Sequence, residues 1–238
     1  APTTTASAPP PPQTPTPEPA APAPAPAPAE KDGTSELREI LASASQFERA
    51  KDSAKAIEAY SKALALKPDL PNTLLDRGRL YMETKQFAKA SADFQAAIKH
   101  SPKNPKAHFG ACAAALSLNQ FQEAVNACSE VLKLERSGDA AHYRAQAHLA
   151  LKNVDAAIAD LRLSTQIKLD APDAFFQLGQ IYQQNGDLVN ALNSYTRAIQ
   201  QKGTYADAYK ARAQIRSYLG DTAGSSDDTT RAAASLKR

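Results

Sequence analysis

Two stretches of this sequence repeat one pattern 135 residues apart: 50–64, AKDSAKAIEAYSKAL, and 185–199, NGDLVNALNSYTRAI. When they are aligned, Tyr60 matches Tyr195 and an alanine follows each tyrosine at the same distance. Related segments begin at Lys51, Lys85, Asn119, Lys152, Gly186 and Gly220, at intervals of 34, 34, 33, 34 and 34 residues. Periods of this size are typical of chains built from stacked supersecondary units.

Each unit contains two helical patterns separated by a short break. In the second unit, Leu74, Gly78 and Tyr81 fall on one helical face, and Ala90 and Phe94 fall on one face of the segment that follows. Prolines punctuate the unit boundaries, where they stop one helix or open the next, at Pro68, Pro71, Pro102, Pro105 and Pro172. The pattern therefore predicts an all-α chain of helical hairpins.

Small side chains recur at the eighth position of each unit: Ala44, Gly78, Cys112, Ala145, Gly179 and Ala213. Alanine fills the twentieth position of the first five units, and large side chains are common at the twenty-fourth. This pattern resembles the tetratricopeptide repeat. Six repeats are assigned to residues 37–70, 71–104, 105–137, 138–171, 172–205 and 206–238. The resemblance implies a right-handed α-solenoid of antiparallel helix pairs, whose first helices line a concave groove.

The N-terminal segment has a different composition. Residues 2–28 contain 12 of the 17 prolines, and proline disfavours both helix and sheet. We predict a disordered tail or tether over residues 1–35 and a repeat domain over 36–238, with its first helix beginning near Glu36 after a Thr34 or Ser35 cap. The chain starts at Ala1 and its one methionine is Met82. Removal of an export signal, loss of a membrane anchor and a trimmed chain all account for this start. We expect an exported, periplasmic or secreted protein, with a cytoplasmic one as the alternative.

Composition argues against several classes of function. A net charge of +3 is too small to predict a nucleic-acid or anionic-membrane partner. The sequence has no apolar run long enough to span a bilayer, although an anchor before Ala1 stays open. It also has no glycine-rich phosphate motif and no catalytic constellation. We therefore expect no enzymatic activity and no cofactor.

The concave groove is the expected binding site. In the family, fixed positions of the first helices face it, and here they carry Leu75, Arg79, Phe109, His142, Gln146, Phe176, Gln180, Gln183, Lys210 and Gln214. Exposed rings would anchor a peptide and amides would pair with its backbone, unless neighbouring helices cover the rings. We expect a scaffold that binds a segment of a partner protein as an adaptor in a larger complex. A self-assembling homo-oligomer is the alternative.

Two cysteines lie opposite each other in the predicted third hairpin. Cys112 and Cys128 are 16 residues apart, so they either form a disulfide in an oxidising compartment or remain two buried thiols. His108 is four residues before Cys112, but no third or fourth ligand accompanies the pair, and no metal site is predicted.

Overall fold

The computed structural model describes residues 33–236, and in that range the chain forms twelve α-helices and no strand. They are α1 (Gly33–Arg49), α2 (Ser53–Leu66), α3 (Pro71–Glu83), α4 (Phe87–His100), α5 (Pro105–Ser117), α6 (Phe121–Leu134), α7 (Gly138–Ala150), α8 (Val154–Ile167), α9 (Pro172–Gln184), α10 (Leu188–Gln201), α11 (Ala206–Tyr218) and α12 (Thr222–Ser235). The prediction of an all-α solenoid of paired helices is confirmed.

The helices stack as six hairpins in chain order. Each first helix packs against the second helix of its own hairpin, and each second helix packs against the first helix of the next hairpin. First helices of neighbouring hairpins also touch, α3 with α5 and α5 with α7. The first helices therefore line the inner face of the solenoid, and the second helices α2, α4, α6, α8, α10 and α12 form the outer face.

The start of the first helix differs from the prediction. Helix α1 begins at Gly33, three residues before Glu36, so Thr34 and Ser35 lie inside the helix rather than capping it. No proline follows Gly33 within α1, so nothing in the sequence prevents the helix from extending backwards to that residue. The tail predicted for residues 1–35 otherwise lies outside the described residues.

Every hairpin turns through one residue with positive φ. This residue is Lys51 (58°), Lys85 (58°), Asn119 (57°), Lys152 (63°), Gly186 (77°) or Gly220 (84°). The left-handed conformation ends the first helix, and glycine adopts it without the steric cost that a side chain imposes. Four of the six turns are thus made by residues other than glycine, and three of these are lysines.

Aromatic side chains at the twenty-fourth position fill the space that the small residues leave. The Phe94 ring lies where a Cβ on Gly78 or on Gly110 would approach within 2.8 or 2.5 Å of it. The Tyr195 ring packs against Gly179 in the same way, and a Cβ added at Gly179 would lie 2.5 Å from the ring. These glycines are therefore required by the close approach of helices within and between repeats.

A buried ion pair recurs in every second repeat. In repeat 2, Arg77 Nε and Nη2 donate to the two carboxylate oxygens of Asp93 at 2.8 and 2.6 Å, and Arg77 Nη1 donates to Ser61 Oγ of repeat 1 at 3.0 Å. Repeat 4 has the same set, Arg144, Asp160 and Ser129, and repeat 6 has Arg212, Asp228 and Thr196. Such bidentate bonds are among the stronger polar contacts in proteins. In each case the arginine therefore links both helices of its own hairpin to the second helix of the preceding repeat.

The last helix closes the stack with a polar surface. In α12 only Asp228 and Ala232 are buried, and the helix has no following repeat to cover it in the described residues. Serine, threonine and aspartate keep this exposed face soluble, as expected for a terminal cap.

Candidate binding surfaces of the solenoid

The inner face of repeats 1 and 2 carries an acidic cluster. Arg79, a predicted groove residue, is half exposed and forms ion pairs with Glu48 of repeat 1 and Glu83 one turn along α3. Asp76 lies nearby, and burial together with the charge of Glu48 raises the pKa of its carboxyl group. Arg79 is therefore already neutralised by two carboxylates, and Leu75 beside it is half-buried in the core.

An aromatic pair lies in the middle of the inner face. Phe109 is half-buried and its ring stacks on Tyr143 of the next repeat, with centroids 5.1 Å apart and planes 23° apart. The sequence left open whether the Phe109 ring is exposed or covered by a neighbouring helix, and the structure covers one side of it. The remaining edge can still contact a bound chain.

His142 contacts the groove residue Gln146 on its own helix and Gln177 of repeat 5. Its Nε2 lies 3.1 Å from Gln177 Oε1 and 3.2 Å from Gln146 Nε2. One ring nitrogen cannot accept from Gln146 and donate to Gln177 at the same time. Burial lowers the pKa of His142, which favours the neutral ring. The tautomer of His142 therefore determines whether Nε2 donates to Gln177 or accepts from Gln146. The side-chain amide that is not bonded to His142 can then bond to a ligand.

The inner face of repeats 5 and 6 is rich in amides. Gln180, Lys210 and Gln214 are exposed, whereas Gln183 is half-buried and accepts a hydrogen bond from the Tyr195 hydroxyl at 2.7 Å. Free side-chain amides suit the backbone of an extended peptide because they both donate and accept. This end of the groove is the most open part of the predicted site.

Phe176 is packed rather than free. Its ring contacts those of Tyr195 and Tyr205, at centroid distances of 5.6 and 5.0 Å, and Tyr205 in turn donates a hydrogen bond to Asp173. Phe176 therefore supports the groove wall as well as offering a ring edge, so its removal would affect stability as well as binding.

The two cysteines of repeat 3 form a disulfide in the structure. Cys112 on α5 and Cys128 on α6 are fully buried, and their Cα atoms are 5.4 Å apart. The small residues at these two positions bring the helices close enough for the bridge. His108 does not approach a metal site: its Nε2 contacts the Pro102 carbonyl oxygen at 2.8 Å. Among residues 33–236, no cluster of three or more His, Cys, Asp or Glu side chains could hold a metal.

A second concave feature lies on the outer face and was missed from the sequence. A cleft of about 650 Å³ runs between α4 and α6 over α5. We call it the outer cleft, and its lining residues are Ser91, Gln95, Ile98, Ala111, Ala115, Gln120, Glu123, Asn126, Ala127, Ser129, Glu130 and Lys133. The signal in the sequence was the pair Ala111 and Ala127, which stand where repeats 2, 4 and 6 have arginine and aspartate.

Comparison with known proteins identifies the family to which these repeats belong. Residues 44–109, 85–149 and 172–205 each match the tetratricopeptide repeat. The chain belongs to the tetratricopeptide repeat family. It is 25% identical over 165 residues to Tetratricopeptide repeat protein 13 of Homo sapiens, covering 67% of this chain and 19% of that protein. It is 32% identical over 101 residues to Small glutamine-rich tetratricopeptide repeat-containing protein 2 of Mycosarcoma maydis, covering 42% of this chain and 29% of that protein. The chain thus matches only a minor part of the length of either relative.

Solved structures with the same fold include PilW and YrrB. PilW, described as a widely conserved type IV pilus biogenesis factor, has a TM-score of 0.71 and 18% identity, covering 85% of this chain and 94% of PilW. YrrB, described as a tetratricopeptide repeat protein with an unusual peptide-binding site, has a TM-score of 0.61 and 19% identity, covering 76% of this chain and 93% of YrrB. At these identities the likeness shows the fold.

Membership of the tetratricopeptide repeat family defines a broad class of function. Proteins of this family bind protein or peptide partners and are typically non-enzymatic scaffolds, and membership of the family supports a protein-interaction scaffold in that general sense. Across residues 33–236, none of its helices has the length and apolar character needed to cross a membrane.

Proposed function

We propose that the inner face binds an extended segment of a partner protein and that the chain acts as an adaptor in a larger complex. The observation that carries this proposal is the amide-rich inner face of repeats 4 to 6. There Gln146, Gln180 and Gln214 follow one another along three consecutive first helices. A row of amides that both donate and accept can pair with the backbone of an extended chain at successive residues.

Half-buried rings supply the apolar part of the proposed site. Phe109 on α5 contacts Tyr143 on α7, the helix that carries Gln146. Phe176 lies on α9, the helix that carries Gln180, and contacts Tyr205 just before α11. Rings that are already packed lose little side-chain freedom on binding, so their edges can anchor a peptide at low entropic cost. YrrB, which shares the fold, is described as having a peptide-binding site, and this supports the same kind of role as an analogy of fold.

The test is selection of peptides from a random display library on the purified chain, followed by titration of the selected peptide against variants. Gln180→Ala and Gln214→Ala should each weaken binding about two- to tenfold, because each removes hydrogen bonds worth about 0.5–1.5 kcal/mol. Gln166→Ala is the matched control, since Gln166 is exposed on α8 of the outer face. Binding that survives both inner-face changes, or that falls with Gln166→Ala, would overturn the proposal.

Self-assembly is the second candidate function. Three large apolar side chains are exposed near the C-terminal end of the solenoid: Tyr218 (81%), Leu219 (56%) and Leu236 (68%). A second copy covering them would bury apolar area that a monomer leaves in water. Light scattering over a concentration series should then show a rise in mass that Tyr218→Ser reduces, and a constant monomer mass would exclude this function.

A further inference from the structure

The outer cleft occupies a place that arginine fills elsewhere in the chain. In repeats 2, 4 and 6, the guanidinium of Arg77, Arg144 or Arg212 lies between the two helices of its own hairpin and the second helix of the preceding one. At the corresponding positions of repeat 3, both the arginine and its aspartate are replaced, by Ala111 and Ala127. The missing side chains leave open space against α4.

The equivalent junction between repeats 4 and 5 is filled. There Leu178 and Ser194 stand at the two positions, and both are buried. Arg162, on the preceding second helix, extends to the Tyr182 hydroxyl at 2.8 Å. Larger side chains thus close that junction, whereas two alanines and Gln95 leave the junction of repeats 2 and 3 open.

The charges at the mouth of the outer cleft are mostly negative. Glu130 is paired with Lys133 at 2.6 Å, and among the described residues Glu123 has no ion-pair partner. The floor consists of Ala111, Ala115 and Ala127. A side chain with an apolar stem and a cationic head matches this arrangement, because its stem would cover the alanines while its head reaches the carboxylates.

We propose that the outer cleft binds an arginine side chain from a short segment of a partner protein. The guanidinium would take the place that Arg77, Arg144 and Arg212 take in their own repeats, donating to the Glu123 carboxylate and to the amide oxygen of Gln95. Arginine is favoured over lysine because its planar head offers several donors in a fixed geometry. The outer cleft is separate from the inner face, so arginine binding here and peptide binding there can be tested independently.

The experiment uses two capped peptides, acetyl-Ala-Ala-Arg-Ala-Ala-amide and its counterpart with glutamate at the centre. Each is titrated into the ¹⁵N-labelled chain while backbone amide shifts are recorded. The arginine peptide should move the signals of Ala111, Glu123 and Ala127 with saturable, millimolar binding, which rising salt weakens. The glutamate peptide should leave those signals unchanged.

Variants separate this site from nonspecific attraction. Glu123→Gln should weaken binding of the arginine peptide about two- to fivefold, as expected for one partly exposed ion pair. The double change Ala111→Arg with Ala127→Asp should rebuild the missing pair and abolish binding. Its matched control is Ala88→Arg with Ala92→Asp, which adds the same residues at two exposed positions of α4 that do not line the cleft.

Several results would overturn the proposal that the outer cleft binds arginine. It is overturned if the arginine peptide causes no saturable shift at Ala111 and Ala127, if the glutamate peptide binds equally well, or if Glu123→Gln leaves the affinity unchanged. It is also overturned if Ala88→Arg with Ala92→Asp weakens binding as much as Ala111→Arg with Ala127→Asp does. Should Ala111→Arg with Ala127→Asp fail to fold, Glu123→Gln alone still gives the answer. Gln180→Ala on the inner face should leave this binding unchanged.

Discussion

Two adjacent aspartates on α12 provide a direct test of the buried ion pairs. Asp228 is fully buried and accepts hydrogen bonds from Arg212 Nε and Nη2 at 2.9 and 2.7 Å and from Arg216 Nη1 at 3.0 Å. Asp227, one residue earlier, forms an exposed ion pair with Arg231 at 2.9 Å. Asp228→Asn and Asp227→Asn make the same chemical change in the same helix in opposite environments.

The expected magnitudes differ several-fold. Asp228→Asn leaves Arg212, with a side chain only 11% exposed, buried without a counter-charge, and breaking such a pair from one side costs about 3–5 kcal/mol. Asp227→Asn should be close to neutral, because both partners of its exposed pair are well solvated. Since the last repeat contacts one neighbouring repeat within residues 33–236, the cost of Asp228→Asn should appear mainly as local opening of α12.

Hydrogen exchange followed by mass spectrometry measures that opening directly. Peptides from Thr222–Ser235 should exchange about 100-fold faster or more in Asp228→Asn and less than about fivefold faster in Asp227→Asn, since each 1.4 kcal/mol is a factor of ten. Peptides from α5 and α6 serve as the internal reference. Equal exchange of α12 in the two variants would refute the reasoning and show that the network contributes little.

Four further changes test other parts of the structure. Lys85→Gly should raise the free energy of unfolding by about 1 kcal/mol in urea titration, because φ is 58° there and glycine accepts it without strain; no gain would contradict this. Replacing Cys112 and Cys128 together with serine should lower it by about 3 kcal/mol, because the disulfide joins residues 16 apart in the sequence, and equal stability with and without reductant would contradict this. Ala90→Leu should cost about 1–3 kcal/mol, since Ala90 is fully buried, and a neutral result would show that the core can expand. Burial lowers the pKa of His142 below 6.5, so its contribution to stability is present above pH 6.5 and lost as pH falls toward the lowered value; His142→Gln should flatten urea midpoints measured below pH 6.5, and an unchanged slope would contradict the assignment.

The helical hairpins and their boundaries could be predicted because their causes are local. Proline at the first position of α3, α5 and α9 marks helix starts that the structure reproduces. The helix-capping carboxylate of Asp52, which accepts from Lys55 N, recurs as Asp187 accepting from Asn190 N. The start of α1 was misplaced because the choice between Gly33 and Glu36 depends on weak helix-end preferences.

The binding surfaces were only partly predictable for the opposite reason. The first-helix positions were named as a set, but the exposure of each depends on a neighbour in the next repeat, as the stacking of Phe109 on Tyr143 illustrates. One of the two carboxylates paired with Arg79 is Glu48, 31 residues away. Periodicity within one repeat carries no information about such contacts.

The amino-acid sequence by itself determined the repeat length, the all-α class and the small residues at helix contacts, because these depend on spacing within a single hairpin. Only the tertiary structure decided how Arg77, Arg144 and Arg212 bond to the preceding repeat, and where two alanines leave the outer cleft open. Each of those features needs side chains from two or three helices to meet. Stacking brings these helices together, and the direction of each side chain in the stack determines whether a space is filled or empty.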